Sequence, residues 1–172
     1  MRRRLHNDDW GYETNCFVCE QRNEGGLRVP FFHETERNVV EADLRLSDTY
    51  SGAPTLLHGG VLLAVLDEAM AWATIAIAGQ WALTSASSAK FLQPVQVDQP
   101  YVVRARVVGT EGDRIATAAD ILDATGAVCT SAEATFLAIG EAVAVRLVGE
   151  EIRDEHRGFL HDGDGRHGGT AE

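Results

Sequence analysis

Residues 56–79, LLHGGVLLAVLDEAMAWATIAIAG, are apolar at almost every position and carry only two charges, Asp67 and Glu68. A surface helix shows one apolar stripe and one polar stripe. A helix apolar nearly all round is expected to be covered on most sides. A carboxylate in such an element costs free energy unless it is paired, reached by solvent or used. The run opens on His58-Gly59-Gly60. Glycines permit close backbone approach, and the first turn of a helix leaves N–H groups without intrahelical partners. Such a terminus can hold an oxyanion or polarise a carbonyl, with a carboxylate two turns further along the same element.

On either side of this helix the pattern changes to period two. After the Gly25-Gly26 break, residues 27–32 form the first expected strand. In 37–46, Val40, Ala42, Leu44 and Leu46 alternate with Glu41, Asp43 and Arg45, as in a half-buried strand. Residues 47–57 hold Asp, Ser, Gly and Pro and form a loop into the helix. Beyond Gly79, residues 81–92 form a long strand of Ser, Thr and Ala, whose small side chains point to close backbone packing or a cavity. Pro94 and Pro100 bracket a turn. Strands follow at 101–108, 114–122 and 127–139, separated by a turn at 109–113 and a tight hairpin signal, DATG, at 123–126.

Two strands, one long helix and then four strands imply an α+β domain with an antiparallel sheet. About six strands and one helix leave sheet edges and apolar helix surface uncovered, so a dimer or higher homo-oligomer is expected. The domain is expected to span 25–147, after an irregular N-terminal lead at 1–24. In 148–172 Gly, His and charge replace apolar periodicity, and a mostly disordered tail is expected.

Composition narrows the function. With 172 residues, 45% apolar and 24% charged, the chain is an ordinary globular domain with enough length for a core. A net charge of −11 argues against a nucleic-acid partner, and an anionic ligand would need a local basic patch. Lys90, Arg104, Arg106 and Arg114, on or beside the late strands, are the candidates for one. The three cysteines suggest no disulfide framework, which fits a reducing cytoplasm. Arg2-Arg3-Arg4 starts like a signal peptide, but no apolar segment follows. Asp67-Glu68 in mid-helix argues against a membrane span.

Cys16-x-x-Cys19 invites a zinc or redox reading. Structural zinc usually takes four ligands and the chain has no second pair, with His6 or His33 able to join only by accident of folding. A redox motif should open a helix after a strand, which this context lacks. No metal is expected there. His161, Asp162, Asp164 and His167 in the tail read as solvated groups. Adjacent helix residues point about 100° apart, so Asp67 and Glu68 cannot face one site. Met70 and Trp72, at helical spacing, read as core or pocket lining.

HGGVLLAVLDEAM after a Gly/Pro loop resembles the helix of hotdog-fold thioesterases, specifically the PaaI-like acyl-CoA thioesterases. NCFVCEQRNEGGLRVPF is similar to that family's lead into its first strand, and TSASSAKFLQPVQVDQP to its strand after the helix. The resemblance covers roughly residues 15–140. It implies a curved antiparallel sheet wrapped around one long helix, paired protomers and an active site at their interface. It implies hydrolysis of acyl-CoA or aryl-CoA thioesters with no metal and no cofactor, coenzyme A being part of the substrate. In that family's pattern Asp67 is general base or nucleophile, and backbone N–H groups near Gly59 and Gly60 polarise the carbonyl. His58 helps form the oxyanion site, and Thr84, from the other subunit, places the water. Glu68, Lys90 and Arg104 are further candidates for substrate contact. Relatives carrying Asn or Gln in the loop before HGG differ from this chain, whose loop reads YSGAPTLLHGG. A non-enzymatic acyl-CoA-binding module and a hotdog hydratase or dehydratase are the alternatives. The latter class normally uses a His-based site with a different helix start.

Overall fold

The computed structural model describes residues 1–10 and 13–161. The central run forms one helix, α1 (Gly59–Ala76), an 18-residue element free of proline and rich in Ala and Leu. His58 is its N-cap, in extended conformation, and Gly79, at φ 68°, receives the chain past its end. By length and composition alone α1 could cross a membrane. Here Val65, Leu66, Ala69, Met70 and Ala73 bury one broad face against the sheet.

Among the described residues nine strands accompany it. They are β1 (Arg2–Arg4), β2 (Phe32–Glu34), β3 (Val39–Leu44), β4 (Ser51–Ala53), β5 (Leu56–Leu57), β6 (Ala82–Phe91), β7 (Tyr101–Glu111), β8 (Arg114–Leu122) and β9 (Val128–Ala138). Seven form an antiparallel sheet in the order β1-β2-β3-β7-β8-β9-β6, while β4 and β5 make a separate ribbon at the mouth of α1. Val40, Ala42, Val103, Ala105, Ile115, Ala119, Ile121 and Phe136 meet the helix in one core. β3 lies within the alternating stretch 37–46 and the four long strands lie where strands were expected, while β1, β4 and β5 were not foreseen.

The lead is not irregular throughout. β1 pairs with β2, and Arg2 sits over the Phe32 ring at 4.0 Å with its guanidinium 3.1 Å from Asp43. Residues 27–31, expected to be strand, instead run beside 17–18, where the Leu27 and Val29 N–H groups donate to the Phe17 and Val18 carbonyls.

The larger correction is at the C-terminal end. α2 (Glu141–Val148) follows β9, buries Ala144 and closes at Gly149 with φ 84°. Residues 149–161, read as tail, fold back over Trp81. Ile152 is 4% exposed, Phe159 stacks on the Trp81 ring at 6.4 Å, and the Trp81 N–H donates to the Phe159 carbonyl at 2.8 Å. These apolar residues are too widely spaced to show a period, yet one large indole suffices to gather them. Residues 162–172 of the expected tail lie outside the described residues.

Candidate active site

The N-terminus of α1 is prepared by the ribbon before it. The Leu57 N–H donates to the Val95 carbonyl and the His58 N–H to the Tyr50 carbonyl, each at 2.9 Å. A Cβ on Gly52 would lie 3.1 Å from His58 Cα and Cδ2, so Gly52 lets the ribbon close on the imidazole. His58 Nδ1 then accepts from the Gly60 N–H at 2.9 Å. The Val61 and Leu62 N–H groups both donate to the His58 carbonyl. Of the first four helical N–H groups, only that of Gly59 lacks a partner among the described residues. The exposed Phe91 ring edge lies 3.4 Å from where a Cβ on Gly59 would stand. The terminus therefore presents one free donor rather than two, and His58 serves it as a cap.

Two turns along, Asp67 lies on the part of α1 that the sheet does not cover. Leu63, Ala64, Asp67, Ala71 and Ile75 form a partly exposed stripe on that side. The Thr84 hydroxyl donates to Asp67 Oδ1 at 2.9 Å. Thr84 was expected to serve the partner subunit, but the short connection after α1 brings β6 back beside its own helix. The pairing of β6 with β9 slips between Thr84 and Ala86, so Ser85 is an extra residue. Thr84 opposes the buried Phe136, and beyond the bulge Ser87 and Ala89 oppose the buried Ala134 and Ala132. Paired residues share a face, so the bulge keeps Thr84, Ser87 and Ala89 together on the helix side. β6 is also the sheet edge, and most of it is exposed. A cleft of about 330 Å³ lies past the C-terminal half of α1, lined among others by Ile75, Trp81, Leu83, Ala144 and Leu147.

Glu68 points elsewhere. Its Oε2 lies 3.5 Å from Cys16 Sγ, within hydrogen-bond reach of that sulfur. Burial first, and then charge at Cys16, push its carboxyl up to about 8. The neighbouring Cys19 thiol holds Cys16 well below the ordinary thiol range, and the same contact with burial pushes Cys19 up. Cys16, Cys19 and Glu68 thus make one cluster, which the sequence could not reveal because its third member is 49 residues beyond Cys19.

The remaining candidates are dispersed. Arg104 Nε lies 2.6 Å from Glu41 Oε1, and Arg106 pairs with Asp120 at 3.2 Å. Lys90 is exposed on β6 and makes no ion pair among the described residues. Arg114 is exposed at the β7–β8 turn. Met70 and Trp72 are core residues.

Residues 55–130 match the family model described as the thioesterase superfamily. A crystal structure of a thioesterase superfamily protein shares 29% identity, covering 67% of this chain and 56% of that one, with a TM-score of 0.63. The chain thus spans under two thirds of that relative. The E. coli PaaI protein from the phenylacetic acid degradation operon shares 19% identity over 60% of this chain and 74% of its own, at a TM-score of 0.56. A Streptococcus mutans protein solved with acetyl CoA shares 17% over 60% and 82%, at 0.57. No curated protein matches the chain. The fold is the hotdog fold, and the resemblance to PaaI-like hotdog thioesterases read from the sequence holds.

Proposed function

We propose that the protein hydrolyses acyl-CoA or aryl-CoA thioesters to free acid and coenzyme A. The observation that carries this reading is Asp67, a mid-helix carboxylate held at one oxygen by the Thr84 hydroxyl and lying two turns from the free Gly59 N–H. The thioester carbonyl docks at the helix start, where the Gly59 N–H supports the oxygen as it gains charge. Of the two glycine N–H groups expected to share this role, Gly59 takes it, because the Gly60 N–H is engaged by His58. Water adds to the carbonyl carbon while Asp67 accepts its proton, and collapse of the tetrahedral intermediate expels the CoA sulfur, which takes the proton up. Direct attack by Asp67, giving an anhydride that water then opens, uses the same groups. No metal or cofactor enters either route. The apolar cleft at Ile75, Trp81 and Leu83 suits the acyl chain, and Lys90, exposed and without an ion pair among the described residues, suits a CoA phosphate.

The same reading includes a homo-oligomer. The β6 edge and the Leu63–Ala71 side of α1 are both open in one chain, and a second copy pairing there would close the water-exposed side of Asp67. Three free thiols and the buried packing of α1 support a cytoplasmic protein. The test is release of free CoA from a panel of straight-chain, branched and aryl-CoA substrates by the purified full chain. Turnover on at least one supports the reading. Binding of acyl-CoA without release, or hydration of an enoyl-CoA without hydrolysis, overturns it in favour of a binding module or a hydratase.

A further inference from the structure

The N-terminal lead folds against α1 on the flank opposite Thr84. Residues 16–20 close a turn in which the Glu20 N–H donates to the Cys16 carbonyl at 3.1 Å, which brings the Cys16 and Cys19 sulfurs to one side. That side faces Glu68, and one ligand atom from each of the three residues lies within 4.8 Å of the others. Tetrahedral zinc, with bonds of about 2.3 Å to sulfur and about 2.1 Å to oxygen, sets its ligand atoms roughly 3.6–3.8 Å apart. The Cys16 Sγ to Glu68 Oε2 separation is 3.5 Å. We propose that Cys16, Cys19 and Glu68 form a binding site for a zinc-class divalent cation, with water at the fourth position, that clamps the N-terminal lead to α1.

Three further observations support the site. The donor set, two thiols and a carboxylate, suits a borderline-soft ion better than magnesium or calcium, which take oxygen ligands. Each sulfur already receives an N–H donor: Val18 N–H reaches Cys16 Sγ and Asn7 Nδ2 reaches Cys19 Sγ, both at 3.4 Å. Outer hydrogen bonds of this kind orient thiolate ligands and disperse their charge. Finally, no Lys, Arg or His forms an ion pair with Glu68 among the described residues, although three acidic groups converge there. A dication would supply the missing positive charge. The ion takes no part in hydrolysis; it fixes the lead, whose Val18 and Val29 are core residues, against the helix that carries Asp67.

The site is tested apart from the hydrolytic reading, since metal uptake is measured without substrate. Full-length protein, purified untagged under reducing conditions, is assayed for zinc, then stripped and titrated with Co²⁺ and Zn²⁺. The expected result is one equivalent per chain, a thiolate-to-cobalt charge-transfer band with tetrahedral visible bands, and loss of both on adding Zn²⁺. Cys16→Ser and Cys19→Ser should abolish the band, Glu68→Gln should weaken binding by more than the roughly 10–100-fold that loss of an outer partner costs, and Cys129→Ser should change nothing. The wild-type stoichiometry and spectrum decide the matter even where a variant misfolds. Histidines near the C-terminus give no thiolate band. Free thiols without metal uptake, a Cys16–Cys19 disulfide in freshly reduced and desalted protein, or uptake that survives the double cysteine variant each overturns the site.

Discussion

The two flanks of α1 differ by a single residue step and face opposite demands. Asp67 looks toward the open edge of the sheet, where one neutral hydroxyl holds one oxygen and solvent reaches the group. Glu68, about 100° further round the helix, looks into the folded lead, where two sulfurs surround it. The same functional group is poised for a substrate on one flank and enclosed on the other. The difference lies in what the neighbouring elements bring. An exposed, bulged strand of small residues leaves Asp67 facing solvent, and a turn with buried Val18 and Cys19 brings two sulfurs up to Glu68.

The strongest way to break this comparison is to neutralise each carboxylate in turn. Asp67→Asn keeps the Thr84 contact but can neither accept a proton nor attack a carbonyl, so turnover of the preferred acyl-CoA should fall roughly 10²–10⁴-fold. Stability should stay within about 0.5 kcal/mol, as for other partly exposed substitutions. Glu68→Gln should cost far less turnover in single-turnover kinetics. If Glu68→Gln is dead and Asp67→Asn is near wild type, the chemistry belongs to the cysteine flank and the comparison reverses. A smaller effect is expected one contact out. Thr84→Ala removes the hydroxyl that orients Asp67 and should lower kcat about 10–100-fold with KM little changed. A loss confined to KM would mean that Thr84 touches substrate and does not position Asp67.

Half of this contrast was legible in the sequence. HGG at the helix start, Asp67 two turns on and the long strands all followed from periodicity and spacing, because each depends on residues close in the chain. Thr84 was read as placing water from the other subunit, and its contact with Asp67 of the same chain was not foreseen, because a strand pattern does not say which helix face it passes, and the Ser85 bulge resets the alternation without a glycine to mark it. Glu68 was grouped with the substrate side and the cysteines were set aside, since the turn that unites them is closed by backbone bonds that no residue type announces. The ordered segment at 149–161 was hidden for a different reason. Its apolar residues, Ile152 and Phe159, are few and widely spaced, and what orders them is Trp81, about 70 residues earlier in the chain.

That segment gives the third test, because it bears on the cleft and not on Asp67. Ile152→Ala should lower stability by about 2–4 kcal/mol by chemical denaturation, the usual cost of truncating a buried isoleucine. At low temperature the folded variant should keep its pH–rate profile, since no group at Asp67 has moved. A change below about 0.5 kcal/mol would mean that 149–161 does not rest on Trp81 and that the domain ends earlier.

The smallest expected effect comes from a third carboxylate, which sharpens the contrast by showing what a purely structural one does. Glu41 on β3 is 9% exposed and is gripped by Arg37 at 2.8 Å and Arg104 at 2.6 Å. Burial opposes its ionisation, but the hydrogen bonds and charges of the two arginines outweigh it and hold the carboxyl below its ordinary range. The folded state therefore binds the proton less readily than the unfolded chain does. The stability this contributes is present above the ordinary carboxylate pKa and is lost as pH falls through the folded value. Glu41→Gln should cost only about 1 kcal/mol at neutral pH, since both arginines are more than a third exposed and screened by water. The gap between variant and wild type should narrow in acid, and turnover should be unchanged throughout, because Glu41 lies across the sheet from β6. A gap that stays constant on acidification would show that Glu41 acts through packing and not charge. A fall in turnover would show that Arg104, freed by the substitution, bears on the site after all.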